Sequence, residues 1–169
     1  SAGMEAALTN LLEPGDVAMV VENGFFGLRL SEIASRQGAE VVTVPVEWGQ
    51  TAPPEQVEAE LKKHPKVKLL AAVHAETSTG ALQPLKELAK LAHDHDALFV
   101  ADTVTSLGGT PVDFDATDID FAYSATQKCL GAPPGMAPVA VGPRALEVIQ
   151  NRKVKPRSWY LDLGLLLQY

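Results

Sequence analysis

Short apolar runs alternate with amphipathic helical stretches along almost all of the 169 residues, and that alternation sets the fold class. Met4–Leu12 reads as a helix stopped by Pro14-Gly15, and Val17–Val21 as a short strand closed by the turn pair Asn23-Gly24. Leu28–Gln37 is patterned as an amphipathic helix ending at Gly38, and Glu40–Val44 as a strand. Pro54–His64 is a charged helix: Pro54 suits a first helical position, and Lys62, Lys63 and His64 suit the negative end of its dipole. The apolar run Val67–Val73 has the character of a strand buried on both faces. A helix over Leu85–His95, a buried strand over Ala97–Ala101, short strands over Phe121–Ser124 and Met136–Val141, and a helix over Pro143–Asn151 complete the pattern. These spacings fit crossover units, so the expected class is α/β with a mainly parallel sheet. Ligands of such sheets sit at the carboxyl ends of the strands.

Composition removes several alternatives. A formal net charge of −7 repels phosphate backbones and anionic lipid, which argues against nucleic-acid and membrane partners. No apolar run is long enough to span a bilayer. Ser1–Glu5 lack both the initiating Met and the basic, apolar start of a signal peptide, and helical patterning begins almost at once. The expectation is one domain over residues 1–169, cut from a longer chain. The single cysteine, Cys129, rules out an intramolecular disulfide and fits a reducing compartment.

Polar clusters follow the strands. Glu22-Asn23-Gly24-Phe25-Phe26 follows the first, His74-Ala75-Glu76-Thr77-Ser78-Thr79-Gly80 the strand Val67–Val73, and Asp102-Thr103-Val104-Thr105-Ser106-Leu107-Gly108-Gly109 the strand Ala97–Ala101. Ala125-Thr126-Gln127-Lys128 follows Phe121–Ser124, and Ser1-Ala2-Gly3 precedes a helix N-terminus able to hold an anion. If the strands are parallel, these clusters crowd one mouth. Asp102, directly after a buried strand, needs a cation or donors, which Thr103, Thr105 and Ser106 could supply; alone it reads as an N-cap or turn residue. Lys128, in a stretch with little other charge, reads either as a lysine reaching solvent or as a desolvated amine ready to form an imine. Both at one mouth favour the second reading.

Other chemistries lack their signatures. His74 and Glu76 have no further ligand at metal spacing, and Cys129 has no paired Cys. Ser78 lies in no nucleophile elbow, and neither a Gly-x-Gly-x-x-Gly turn nor a phosphate-loop Gly-Lys-Ser/Thr occurs. Asp113, Asp115, Asp118 and Asp120 are assigned to turns and a solvated edge, and Trp48, Trp159 and Tyr160 to packing or an interface.

Three segments resemble class V aminotransferases: His74 to Gly80 with Gln83-Pro84-Leu85, Asp102 to Pro111, and Tyr123-Ser124-Ala125-Thr126-Gln127-Lys128 with Ala132-Pro133-Pro134-Gly135. With the tail Lys155 to Asp162, they look like the alanine–glyoxylate, serine–pyruvate and serine–glyoxylate subgroup. The resemblance implies the large-domain core of a fold-type-I transferase dependent on pyridoxal 5′-phosphate, with helices on both faces of the sheet. It implies Lys128 as Schiff-base lysine and proton shuttle, and Asp102 as partner of the pyridine nitrogen. Phe26 would stack on the ring, where Trp is commoner, and Val104 would pack its other face. Thr77 would donate toward the ring substituents, Gln127 would contact the phosphate, and Ser1 would end the phosphate loop. Phe26 and Val104 also read as plain core residues, Gln127 as a surface amide, and Thr77 as a loop donor.

The implied reaction moves an amino group from alanine or serine to glyoxylate or pyruvate. The implied assembly is a homodimer and the implied location cytoplasmic, or peroxisomal or mitochondrial in a eukaryote. The arginine for the substrate carboxylate and the neighbouring subunit's phosphate contacts are expected outside this chain. Two rivals stand beside it: another enzyme of this cofactor class, such as a phosphonate transaminase, desulfurase or lyase, and an inactive piece serving as a folding or interaction unit. Cys129, directly beside Lys128, is badly placed for a desulfurase.

Overall fold

The computed structural model describes residues 1–168. Helix α1 (Ala2–Leu11) leads into β1 (Val17–Glu22), α2 (Phe25–Arg36), β2 (Glu40–Pro45), α3 (Pro54–Lys63) and β3 (Val67–Val73). A small hairpin, β4 (Ala75–Glu76) and β5 (Ala81–Leu82), precedes α4 (Lys86–Asp94) and β6 (Leu98–Asp102). The chain ends with α5 (Phe114–Thr117), β7 (Phe121–Tyr123), β8 (Val139–Val141), α6 (Pro143–Gln150) and α7 (Leu163–Leu166).

The six-stranded sheet has the order β2-β1-β3-β6-β7-β8. All neighbours pair parallel except β7 and β8. The chain leaves β1 for β2 on one side and returns as β3 on the other, so the strand order reverses between β1 and β3. That reversal opens a crevice beyond the carboxyl ends of β1 and β3, beside β6.

Burial on two faces explains the apolar strands. Ala18 and Val20 of β1 and Leu69, Ala71 and Val73 of β3 join a core with Leu8 of α1, Leu30 of α2 and Ile149 of α6. Their neighbours Met19, Val21, Leu70 and Ala72 join a second core with Val57 and Leu61 of α3 and Leu88 of α4. Successive strand residues point to opposite faces, and both faces are covered by helices. Each fully buried Leu or Phe contributes about 1.5–3 kcal/mol.

Several elements depart from the pattern. Helix α2 starts at Phe25 rather than Leu28, because its first N–H groups are met by residues distant in sequence. The β4–β5 hairpin and α7 are too short to show a period. Strand β8 begins only at Val139: Ser124 N still donates to the Pro138 carbonyl, but Pro138 has no N–H to return a bond, so the ladder stops there. Trp159 and Tyr160 are each 82% exposed and Trp48 is 55% exposed, which removes the packing reading for all three.

Asp120 is not on a solvated edge. It is buried just before β7, where it accepts from Phe99 N at 2.7 Å and Arg144 Nε at 2.7 Å and lies 2.8 Å from His93 Nε2. Desolvating a carboxylate is tolerable because these partners surround it. Asp113 instead caps α5 by accepting from Ala116 N. Beyond α6, Arg152 Nη1 donates to the carbonyls of Asn10 at 2.6 Å and Leu12 at 3.0 Å, binding the tail to the end of α1. No helix among the described residues is long and apolar enough to cross a membrane.

Candidate active site

Parallel pairing sets Asp102, the last residue of β6, opposite Tyr123, the last of β7. Asp102 is 3% exposed. Its Oδ1 accepts from Val104 N at 2.9 Å and its Oδ2 from the Tyr123 hydroxyl at 3.0 Å. These are not the donors expected from the sequence. The Thr103 hydroxyl donates to the Tyr123 carbonyl and the Thr105 hydroxyl to the Ala75 carbonyl, while Ser106 Oγ is buried without a partner. The turn after β6 points those hydroxyls at the backbone of neighbouring strands and leaves the main-chain amide of Val104 to reach the carboxylate. Burial pushes Asp102 from 3.8 to about 6 against the pull of these two hydrogen bonds. Burial, and then the charge of Asp102, push the Tyr123 phenol well above its ordinary value.

Lys128 lies on the loop between β7 and β8. That loop is closed by Gly131 N on the Lys128 carbonyl, Ala132 N on the Thr126 carbonyl, both at 2.9 Å, and the Thr126 hydroxyl on the Pro133 carbonyl at 2.7 Å. Cys129 Sγ donates to the Thr105 carbonyl at 3.3 Å, which ties the lysine loop to the loop after Asp102. A Cβ on Gly109 would come within 2.7 Å of that sulfur, so only glycine allows the two loops to meet this closely. Lys128 itself is exposed, not desolvated as its uncharged sequence neighbours implied. Those neighbours form a surface arch, and being apolar does not bury the amine beside them.

Phe26 and Val104 are half-buried and pack against the same core cluster. The Arg29 guanidinium lies 4.7 Å from the Phe26 ring centre and 5.2 Å from that of Phe25. Thr77 is exposed and its Oγ1 lies 3.0 Å from Thr105 Oγ1. Gln127 is exposed beside Lys128. Ser1 is exposed at the N-cap of α1, where its side chain makes no cap bond; its Oγ accepts from Arg29 Nη1 at 3.5 Å and its carbonyl from Glu5 N.

Thus Thr105 ties Thr77 and the Lys128 loop to the turn in which Val104 N meets Asp102, and Arg29 links Ser1 by a hydrogen bond to the face of Phe26. Three residues escaped the sequence reading. Tyr123 stood only as a motif member, Arg29 was not singled out, and Glu76 was weighed only as half of a metal site with His74. Glu76 is 1% exposed and accepts four hydrogen bonds, from Phe26 N, Gly27 N, Ser78 N and Ser78 Oγ. An acidic residue three positions after a strand buried on both faces was the available signal. Among the described residues no group of side chains is arranged to hold a metal. His74 is half-buried with Nδ1 unpartnered, and burial lowers its pKa.

Solved structures share this fold. Alanine–glyoxylate aminotransferase from Nostoc matches 99% of the chain with a TM-score of 0.96 and 46% identity. Ureidoglycine–glyoxylate aminotransferase from Bacillus subtilis matches 99% with a TM-score of 0.93 and 43% identity. The fold is therefore that of the fold-type-I pyridoxal-phosphate-dependent transferases.

Sequence narrows the class further. The profile of the family Aminotransferase class-V matches residues 1–156, and the chain belongs to that family. Rat alanine–glyoxylate aminotransferase is 44% identical over 163 residues, 96% of this chain. The (S)-ureidoglycine–glyoxylate transaminase of Bacillus subtilis is 45% identical over 157 residues, 93% of this chain. The chain spans 39% of the length of the first and 38% of the second.

Proposed function

We propose that these 169 residues form the cofactor-binding core of a pyridoxal-phosphate-dependent aminotransferase. It would move an amino group between a small amino acid, alanine or serine, and a 2-oxo acid, glyoxylate or pyruvate. The observation that carries this reading is the buried Asp102 carboxylate on the strand beside the one that leads into the exposed Lys128. A carboxylate raised to about 6 by burial gains from a cation at its remaining lone pairs, and a protonated pyridine nitrogen is such a cation. The donor set therefore fits pyridoxal 5′-phosphate, which when bound supplies an electron sink that acidifies the substrate α-carbon.

The chain's own residues take these parts. Asp102 keeps the proton on the pyridine nitrogen. Lys128 Nζ takes a proton from the α-carbon as general base and returns it as general acid. Phe26 and Val104 offer apolar surface to the ring, and Thr77 a hydroxyl to its substituents. Gln127, Ser1 and the N-terminal dipole of α1 would serve the phosphate. The relatives named for glyoxylate support glyoxylate as acceptor. A homodimer belongs to the same reading, supported by Trp159, Tyr160, Leu166 and Leu167, which are exposed along the tail. A cytoplasmic location also belongs to it, supported by the single cysteine.

The test is to titrate the protein with pyridoxal phosphate, reduce with borohydride and map the modified peptide. Attachment is expected at Lys128. Attachment at another lysine, or none, would end the reading.

A further inference from the structure

Helix α2 begins without a cap of its own. Its N-cap is Gly24, which has no side chain to offer, yet the first N–H groups of a helix have no partner inside it. Here they are satisfied from the β4 loop, about fifty residues away in sequence: Phe25 N donates to Ser78 Oγ at 2.9 Å, Phe26 N to Glu76 Oε2 at 3.0 Å and Gly27 N to the same oxygen at 3.3 Å. Glu76 Oε1 takes Ser78 N at 3.0 Å and Ser78 Oγ at 2.7 Å. The fit is close, since a Cβ on Gly24 would lie 2.3 Å from Glu76 Cγ. The same loop is tied to the turn after Asp102, through Thr105 Oγ1 on the Ala75 carbonyl and beside Thr77 Oγ1.

From this we propose that Glu76 is a positioning residue: it fixes Phe26 relative to Thr77 and Val104, and so sets one wall of the ring site. The proposal rests on the cofactor reading given above. The donor set suits the task. Four donors converge on the two carboxylate oxygens; an amide in their place would turn an N–H toward an N–H or O–H donor.

Glu76→Gln tests this in two ways. In the cofactor-free protein, amide exchange at Phe26 and Gly27 should accelerate about tenfold or more, while Leu70 and Ala71 in β3 keep wild-type rates. In titrations with pyridoxal phosphate, affinity should fall about tenfold and the induced circular dichroism of the bound cofactor should weaken, with attachment still at Lys128. Phe26→Ala should cause a similar loss, and the double variant no more than either single one, because both act through the same ring.

Faster exchange spread evenly through β3 would mean general destabilisation and would overturn the proposal. So would unchanged affinity and dichroism, or losses that add in the double variant. A wild-type protein that takes no pyridoxal phosphate at Lys128 would end the cofactor reading and this role together. Failure confined to the variants would end only the role of Glu76.

Discussion

The Tyr123 hydroxyl donates to Asp102 Oδ2 at 3.0 Å, between two residues that face each other at the ends of adjacent parallel strands. Strand pairing alone brings their Cα atoms together, so the phenol reaches the carboxylate with no help from a loop. Tyr123→Phe removes this donor and leaves Oδ2 buried with one partner fewer. The variant should lose about 1–3 kcal/mol of stability. The Asp102 pKa should move further up, since a bond that favours the charged form is gone. Carbon-detected NMR titration of the Asp102 carboxyl reads the shift, and an unchanged or lower value would show that the bond has no influence on ionisation.

Asp102 also fixes a pH dependence. Its pKa is raised in the folded chain from 3.8 to about 6, so the folded state binds this proton more readily than the unfolded one. Its contribution to stability is therefore greatest below the unfolded value, declines as pH rises through the window up to about 6, and is constant above that. The whole span corresponds to about 3 kcal/mol. Asp102→Asn should abolish this slope and be more stable than wild type above about pH 6, and in the full-length protein it should also lose the proposed cofactor-dependent turnover. Urea denaturation between about pH 4 and pH 8 checks it; a variant weaker than wild type at neutral pH would contradict the assignment.

Lys128→Ala should leave stability within about 0.5 kcal/mol of wild type, because the side chain is exposed. In the full-length protein the proposed transamination should disappear while some cofactor still binds. Full turnover in the variant would remove Lys128 from the chemistry.

Gly109→Ala places a methyl group 2.7 Å from Cys129 Sγ and 3.1 Å from its Cβ, so the sulfur must turn away from the Thr105 carbonyl or the two loops must part. Borohydride trapping of pyridoxal phosphate at Lys128 should slow, and stability should fall by about 1–3 kcal/mol. Adding Cys129→Ala should recover part of both losses. Trapping at the wild-type rate in the single variant would show that the lysine loop does not depend on this contact.

Arg152→Ala should cost about 1–3 kcal/mol, because the carbonyls of Asn10 and Leu12 lose a charged donor at the end of α1. Limited proteolysis should then cut first in the tail from Lys153 onward. Cleavage confined to other loops would show that the tail is held elsewhere.

The sheet was readable where burial on both faces left an apolar run. Val67–Val73 has the expected limits, β1 runs one residue further than expected, and β6 is shifted by one residue at each end. The start of α2 was not readable, because the oxygens that extend it to Phe25 belong to Glu76 and Ser78. The same holds for Asp102, whose placement followed from its strand while its donors depend on how the next turn folds and on a tyrosine of another strand. Lys128 was placed on the correct loop, but its solvent exposure depends on what lies above it in space, which sequence neighbours do not report.

Because β8 runs antiparallel to β7, with Tyr123 paired to Val139, the segment that carries Lys128 is an arch whose two feet stand on adjacent strands. A side chain on such a span can flex but cannot wander, so under the proposed role of Lys128 the entropy of confining its amine is met when the protein folds rather than at each turnover. Cutting the arch while leaving every side chain in place should then slow trapping of pyridoxal phosphate at Lys128, since a tether with one free end no longer confines the amine.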